Sequence, residues 1–265
     1  MKFTLILTLV FGTGFSNGQT VDGRQVARAE LLTNASDFSK PFTVGVRFVL
    51  ESDWYLYWKN PGDSGLPIEV EWDLPDGWAA SELRHPVPSK FAHDNVVSYG
   101  YKNEVILLTT ITPGNQPLGV LNAKLDWLIC RESCIRGKAD VALPLNAGAA
   151  TPEASSAINT AQERFPHSAE QFRISIGQGQ VREVESGWVA DITLEGSAAA
   201  SITDFYPEAT DDVLIEYGSI RVNDGKLQFR FEKQNSAGDI VNVRGLFIAG
   251  TKGFEGTIPL HFKSM

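Results

Sequence analysis

The chain has 265 residues and a formal net charge of −9 at pH 7. An acidic protein repels phosphate backbones and anionic headgroups, which excludes nucleic acid and anionic membrane surfaces as expected partners. Its 24 glycines, 13 prolines and 10% aromatic residues favour an all-β protein. The length suits either two ordinary domains or one large β-domain.

Residues 1–18 have the three regions of a secretory signal peptide. Lys2 supplies the charge, residues 3–11 are apolar, and small residues lead up to Gly18. The apolar stretch is shorter than the ~20 residues of a membrane-spanning helix. We therefore expect cleavage near Gly18 and export as a soluble chain with no membrane span. Loss of Lys2 makes the mature chain one unit more negative.

Short segments of alternating polarity predict strands through the next part of the chain. Residues 60–65 are rich in Gly, Pro, Asn and Asp and predict a turn-rich loop after the aromatic run 54–58. Aromatic residues in such a run are expected to be core. Many short strands at this spacing favour a β-sandwich. The predicted strands are 42–50, 68–74, 105–111, 121–129 and 139–145.

The chain has two cysteines, Cys130 and Cys134, directly after a predicted buried strand. A disulfide needs Cα atoms about 4.4–6.8 Å apart, whereas four extended residues span roughly 13 Å, so the backbone must turn sharply between them. So small a ring stabilises a fold by only about 2 kcal/mol. Its spacing favours a redox couple, because the second thiol stays beside the first during exchange. An inert structural disulfide is the alternative in an exported protein.

The composition shifts to Ala, Ser, Thr, Asn and Gln over residues 148–167, which predicts a linker. Thr151 before Pro152 predicts the start of one short helix that Pro166 ends. Strand patterns return afterwards, and the turn 223–225 is a strong hairpin signal. The predicted domains are therefore 19–147 and 168–265. The strands predicted for the second domain are 172–176, 188–194, the hairpin 220–229, 240–249 and 257–262.

Three stretches of the first domain resemble a known family. They are residues 54–67 (WYLYWKNPGDSGLP), 99–101 (YGY) and 126–135 (DWLICRESCI). They are similar to the amino-terminal periplasmic region of the DsbD-type thiol:disulfide interchange proteins, especially the branch related to suppressor of copper sensitivity protein B. The likeness covers most of residues 28–147 and, more loosely, the second domain through residues 205–207.

The resemblance implies an all-β fold with two immunoglobulin-like sandwich domains and a periplasmic location. It implies a thiol–disulfide oxidoreductase that takes electrons from a thioredoxin-like or membrane-embedded thiol donor and reduces oxidised periplasmic client proteins. By position, Cys134 forms the mixed disulfides and Cys130 resolves them. No cofactor is expected, since the sulfurs themselves carry the two electrons.

The chain departs from this family in two ways. Full-length relatives continue into membrane helices and a thioredoxin-like domain, so a chain ending at Met265 is expected to depend on a separate donor protein. Better-studied members also space their cysteines more widely and cover them with a loop bearing a Phe, whereas residues 97–101 contain none. We predict Tyr99 as the substitute cap residue and Trp127 as core support for the redox turn.

Charged neighbours are expected to tune the thiols. Arg131 and Arg136 would favour the thiolate and lower its pKa, and Glu132 would oppose them. Two alternative functions remain open: a non-catalytic binding or interaction module with a structural disulfide, and a copper-handling protein. No metal site is predicted, because the histidines are far from the thiols in sequence and a methionine-rich signature is missing. The possible ligands of the metal alternative would be Cys130, Cys134, His85 and His93.

Two short motifs are given a structural interpretation. Residues 62–65 (GDSG) look like a serine-protease loop, but no His/Asp context for acyl transfer accompanies them, so a turn is expected. Residues 34–36 (NAS) fit a glycosylation acceptor as a weak three-residue match.

Overall fold

The computed structural model describes residues 19–21, 24–93, 96–234 and 238–262, and most of them lie in β-strands. The predicted all-β, immunoglobulin-like fold class is confirmed. The predicted signal peptide lies outside the described residues. The strands of the amino-terminal half are β1 (Gln19–Val21), β2 (Arg24–Thr33), β3 (Phe42–Leu50), β4 (Tyr55–Gly62), β5 (Glu69–Asp73), β6 (Ala79–Ala80), β7 (Ser89–His93), β8 (Val96–Lys102), β9 (Glu104–Thr112), β10 (Val120–Cys130) and β11 (Cys134–Pro144).

Two sheets of this half face each other across a shared core. Within the described residues, sheet I has the order β1-β2-β3-β9-β6 and sheet II the order β11-β10-β4-β8-β7, with β5 paired to β10. Side chains alternate between the two faces of a strand. In β10 the residues from Leu121 to Ile129 at every second position are buried in this core, as are Leu56 and Trp58 of β4. The intervening residues of β4 and β10 therefore lie on the outer face of sheet II.

A helix, α1 (Pro152–Gln162), follows where the sequence predicts one. The Thr151 hydroxyl accepts a hydrogen bond from the N–H of Ala154 at 3.1 Å, which caps the first turn. Its apolar face packs through Ile158 on Ile106 and Leu108 of β9, on the outer side of sheet I. The helix therefore covers a sheet of the amino-terminal half.

The carboxy-terminal half forms one extended sheet around its own core. Its order among the described residues is β15-β18-β19-β13-β14-β17-β16, with β12 paired to β14. The predicted hairpin turn is confirmed, because Asp224 and Gly225 both have positive φ, at 47° and 71°. The strands are β12 (Ser175–Ile176), β13 (Gly179–Val184), β14 (Gly187–Glu195), β15 (Asp204–Pro207), β16 (Val213–Asn223), β17 (Lys226–Lys233), β18 (Ile240–Ala249) and β19 (Lys252–His261).

The strand predicted over 172–176 is wrong in its first part. A short helix, α2 (Ala169–Phe172), occupies that position and ends where Arg173 adopts a left-handed conformation, with φ at 54°. Phe172 is half-buried, with its ring 5.1 Å from the ring of Phe254. The ring can pack against the core from a helical turn as well as from a strand, so the hydrophobicity of this residue does not specify a strand.

The two halves share a junction. The core of the amino-terminal half includes Tyr206, Leu246 and Ile248 from the carboxy-terminal half. These contacts brace β4 and β8, the central strands of sheet II. The polar contacts across the junction include Lys59 with Glu208 (2.5 Å), Lys90 with Asp204 (3.0 Å) and Asn60 with the carbonyl oxygen of Pro207 (2.6 Å). Among the described residues, no helix has the length and apolar character needed to cross a membrane.

Candidate redox site

The cysteine pair closes the tip of the hairpin formed by β10 and β11. The two strands pair residue by residue from Val120 opposite Pro144 to Cys130 opposite Cys134. The two cysteines are joined by a disulfide with their Cα atoms 4.1 Å apart. The predicted sharp turn between them is therefore confirmed, at a hairpin tip.

The two sulfur-bearing residues differ in their access to solvent. Cys130 is only 1% exposed, whereas Cys134 belongs to the exposed residues. The difference arises because Cys134 starts β11 at the edge of sheet II, while Cys130 also pairs with Tyr55 of the neighbouring strand β4. A protein partner can therefore reach Cys134 far more readily than Cys130.

Tyr57 of β4 covers the disulfide on the outer face of sheet II. Its hydroxyl donates a hydrogen bond to Cys130 Sγ at 3.1 Å and lies 3.6 Å from Cys134 Sγ. Tyr57 is 1% exposed, so this contact is closed to water. One buried hydroxyl thus touches both sulfurs of the bridge.

The loop after β4 holds Tyr57 in place. Gly65 has a φ of 120°, and a Cβ there would lie 2.4–2.5 Å from three atoms of the Tyr57 ring. The loop is tied to β8 because Asp63 exchanges two bonds with Val97: its N–H donates to the carbonyl at 2.8 Å, and its Oδ2 accepts from the N–H at 2.7 Å. The glycine therefore permits the backbone to rest on the aromatic ring.

The predicted loop over 60–65 begins later than expected. Strand β4 continues to Gly62, which pairs with Ser98 of β8, and the turn occupies the residues that follow. Gly62, with a φ of 89°, ends the strand in a conformation that favours glycine.

Aromatic side chains extend from the site along the outer face. The ring of Tyr55 lies 5.4 Å from Tyr57 and 4.9 Å from Phe91 of β7. Lys102 places its ammonium group 5.0 Å from the Phe91 ring. The disulfide therefore borders a surface of aromatic and cationic groups.

Burial raises the pKa of Tyr57 well above its usual value, and the neighbouring Tyr55 hydroxyl adds to the effect. The phenol consequently stays protonated throughout the physiological range. A neutral phenol is a permanent hydrogen-bond donor, which is the form that the contact with Cys130 requires.

Comparison with known proteins identifies the amino-terminal half. Residues 25–146 match the family described as thiol:disulfide interchange protein DsbD, N-terminal. These residues form a DsbD-type amino-terminal domain. They constitute a thiol–disulfide interchange module that carries the bridged Cys130 and Cys134.

Solved structures give a wider likeness in fold. The N-terminal periplasmic domain of ScsB from Proteus mirabilis matches 92% of this chain and 97% of its own, with 17% identity and a TM-score of 0.68. The DsbD n-terminal domain of Neisseria meningitidis, in the reduced form, matches 44% of this chain and 85% of its own, with 17% identity and a TM-score of 0.31. No curated protein sequence matches the chain significantly.

Within the DsbD-type domain, Trp127 lies in the core beside the redox turn. It is 1% exposed, and its ring packs edge-on against Phe48 of the opposite sheet at 5.2 Å. It lies on the inner face of sheet II, three residues before Cys130 on the same strand. Its role as support for the cysteines remains a prediction.

The two arginines near the thiols have different partners. The guanidinium of Arg136 donates two hydrogen bonds of 2.8 Å to Asp126, which lowers the pKa of that carboxyl. Arg131 lies on the exposed bend with its guanidinium carbon 5.2 Å from the Trp54 ring centroid. The positive charge of Arg136 is therefore compensated by Asp126. Arg131 is the arginine that directly follows Cys130 in the sequence.

Tyr99, which the sequence predicted as a cap over the cysteines, lies on the other face of sheet II from the disulfide. Its side chain is fully buried on the inner face of β8, whereas the following residue, Gly100, pairs with Tyr57. Its ring packs against Tyr206 at 4.7 Å and Tyr217 at 5.9 Å, both from the carboxy-terminal half. The period-two alternation of β8 explains the difference: a residue adjacent to Gly100 faces the junction, away from the disulfide.

Sequence reasoning assigned no role at the site to Tyr57 or Phe91. Tyr57 was interpreted as core, as part of the aromatic run 54–58. A signal was present, because Tyr55 and Tyr57 share one face of a strand while Leu56 and Trp58 share the other. Which face meets the cysteines depends on the pairing of β4 with β10, and no local pattern reports that pairing.

The metal alternative finds no ligand cluster in the described part of the chain. No group of three or more His, Cys, Asp or Glu side chains is arranged there to hold an ion. His85 lies in a polar cleft at the junction of the two halves, beside Lys59 and Arg244. His93 is an exposed residue at the end of β7.

His85 should make the protein sensitive to mild acid. Burial, helped by the charge of Lys59, lowers the pKa of His85 to about 4 from a usual 6.5. Between those values the unfolded chain binds a proton that the folded chain refuses, so stability falls as the pH drops through this window. The unfolding free energy of the wild type should therefore fall between pH 7 and pH 4.5. In His85→Gln, which lacks this group, we expect that fall to be smaller by about 2 kcal/mol.

Urea unfolding at the two pH values measures this difference, and His93→Gln is the matched control at an exposed position. Equal losses in the wild type and His85→Gln would refute the assignment to His85.

Proposed function

We propose that the protein is an exported periplasmic thiol–disulfide interchange protein of the ScsB-related branch, which passes reducing equivalents through Cys130 and Cys134. The observation that carries the proposal is the unequal exposure of the two residues, since Cys134 is exposed while Cys130 is 1% exposed. Exchange through a mixed disulfide needs one accessible sulfur and one protected sulfur that resolves it.

In this cycle the thiolate of a donor attacks Cys134 Sγ, and the electron pair of the broken S–S bond moves to Cys130. The second donor thiol then releases the reduced protein. A reduced Cys134 attacks the disulfide of an oxidised client, and Cys130 completes the transfer. Each turn moves two electrons, and the sulfurs need no further cofactor.

The position of the bridge also favours exchange over a structural role. Strands β10 and β11 already pair over their whole length up to the cysteines. A covalent link at the end of a formed hairpin constrains a short ring, so it adds little to the stability of the fold.

The donor is proposed to be a thioredoxin-like or membrane-embedded thiol protein, and the clients oxidised periplasmic proteins. We propose residues 19–147 as the redox domain, 148–167 as the linker and 168–265 as a second β-sandwich that braces sheet II. The ring contacts of Tyr206 and Tyr217 with Tyr99 support that bracing role.

The reduction potential tests the proposal. Equilibration of the full chain in graded dithiol buffers, with alkylation and mass measurement, should give a midpoint above about −300 mV. A midpoint below that value would identify a structural bridge and favour a non-catalytic interaction module. The readout reports a single couple because the chain has two cysteines.

A further inference from the structure

We propose that the Tyr57 hydroxyl is the hydrogen-bond donor that stabilises Cys130 as the leaving thiolate when a partner opens the bridge at Cys134. This inference rests on the proposed function and assigns a residue to its central step. The contact that motivates it is the 3.1 Å hydrogen bond from the hydroxyl to Cys130 Sγ.

Cys130 needs such a donor because of where it is buried. When the donor thiolate attacks Cys134, the S–S bond breaks and Cys130 Sγ receives its electron pair and a full negative charge. A buried anion without a hydrogen bond is strongly disfavoured. Cys130 is 1% exposed, so water cannot serve this role.

Tyr57 is held in position before the reaction begins. The Gly65 backbone rests on one side of its ring, and the Tyr55 ring packs edge-on at 5.4 Å. A fixed donor aimed at the atom where charge develops lowers the barrier, because little reorganisation is required. The phenol also remains protonated, since burial raises its pKa.

The charged groups around the sulfurs do not replace this donor. Arg131 and Glu132 lie on the exposed bend with opposite charges, and Lys102 is placed over Phe91. Tyr57 is the group whose hydrogen bond to Cys130 Sγ the structure displays. We therefore assign to Tyr57 the role of hydrogen-bond donor to the leaving sulfur of Cys130.

Reduction kinetics with dithiothreitol test the assignment in the full chain. Tyr57→Phe keeps the ring and removes the hydroxyl, and we expect the rate constant for opening the bridge to fall roughly tenfold. Tyr101→Phe is the matched control, since it removes a buried hydroxyl that donates to the Pro86 carbonyl oxygen. Its rate should equal that of the wild type.

A thermodynamic readout separates donation from packing. In a Cys134→Ala background, Tyr57→Phe should raise the pKa of the Cys130 thiol by about one unit. Titration of the thiolate absorbance measures this pKa. If Tyr57→Phe fails to fold, Tyr57→3-fluorotyrosine keeps the hydroxyl and makes it a stronger donor, and it should open faster than the wild type.

The outcomes separate this inference from the proposed function. A wild-type bridge that opens readily, together with equal rates in Tyr57→Phe, would overturn the role of Tyr57 and leave the exchange function standing. An unchanged or slower rate in the fluorinated protein would also overturn it. A wild-type midpoint in the range of structural bridges would remove both.

Discussion

Cys130→Ala is expected to accumulate a stable mixed disulfide between Cys134 and a thioredoxin-like donor, because the sulfur that resolves the intermediate is gone. Cys134→Ala should form none, since the remaining Cys130 is 1% exposed beneath Tyr57. This is the largest effect that we expect at the site: full trapping in Cys130→Ala and complete loss of exchange in Cys134→Ala. Non-reducing electrophoresis with mass measurement of the adduct detects it.

The matched pair supplies its own control, because each variant keeps one thiol on the same hairpin tip. The donor should carry a single attacking cysteine activated as its thionitrobenzoate mixed disulfide, so that the Cys134 thiolate forms the adduct by displacing thionitrobenzoate and no second donor thiol can resolve it. Equal trapping in both variants, or trapping in Cys134→Ala alone, would refute the assignment of the accessible sulfur to Cys134.

Gly100→Ala should cause a large loss of stability. A Cβ at Gly100 would lie 2.0 Å from the carbonyl oxygen of Leu56, so the backbones of β4 and β8 would have to separate. We expect a loss of about 3 kcal/mol in unfolding free energy, which lowers the midpoint of thermal unfolding by roughly 10 °C. Because Gly100 pairs with Tyr57, the rate of bridge opening should fall as well.

Gly119→Ala is the control for this prediction, since a Cβ there meets nothing within 4 Å. Calorimetry of the two variants against the wild type measures the difference. Thermal midpoints for Gly100→Ala and Gly119→Ala that agree within a degree would show that β4 and β8 can accommodate the methyl group.

Local patterns predicted most of the regular structure where the residues had a single favourable arrangement. The alternation in β3 and β10, the Asp224-Gly225 turn and the Thr151 cap all specify backbone conformation within a few residues. Phe172, the last residue of the helix at 169–172, was mistaken for the start of a strand, because an apolar residue packs equally well from a helical turn. Strands β7 and β13, with mixed polarity, carried no clear period-two signal.

At the candidate site, too, local sequence predicted some features and strand pairing decided the others. The spacing of Cys130 and Cys134 requires a sharp turn, and the structure has that turn. The sequence could not show that Tyr99 lies on the inner face of β8, since its orientation follows from the pairing of Tyr57 with Gly100. That register is set by contacts between strands distant in sequence.

By itself, the amino-acid sequence determined an acidic, strand-rich chain with one closely spaced cysteine pair at a turn, because those properties depend on composition and on neighbouring residues. The tertiary structure alone decided which sulfur is accessible and which group contacts it. Tyr57 and Cys130 are 73 residues apart, and they meet only because β4 pairs with the end of β10. Burial and hydrogen bonding are properties of the assembled sheets, so the chemistry of the bridge arises at that level.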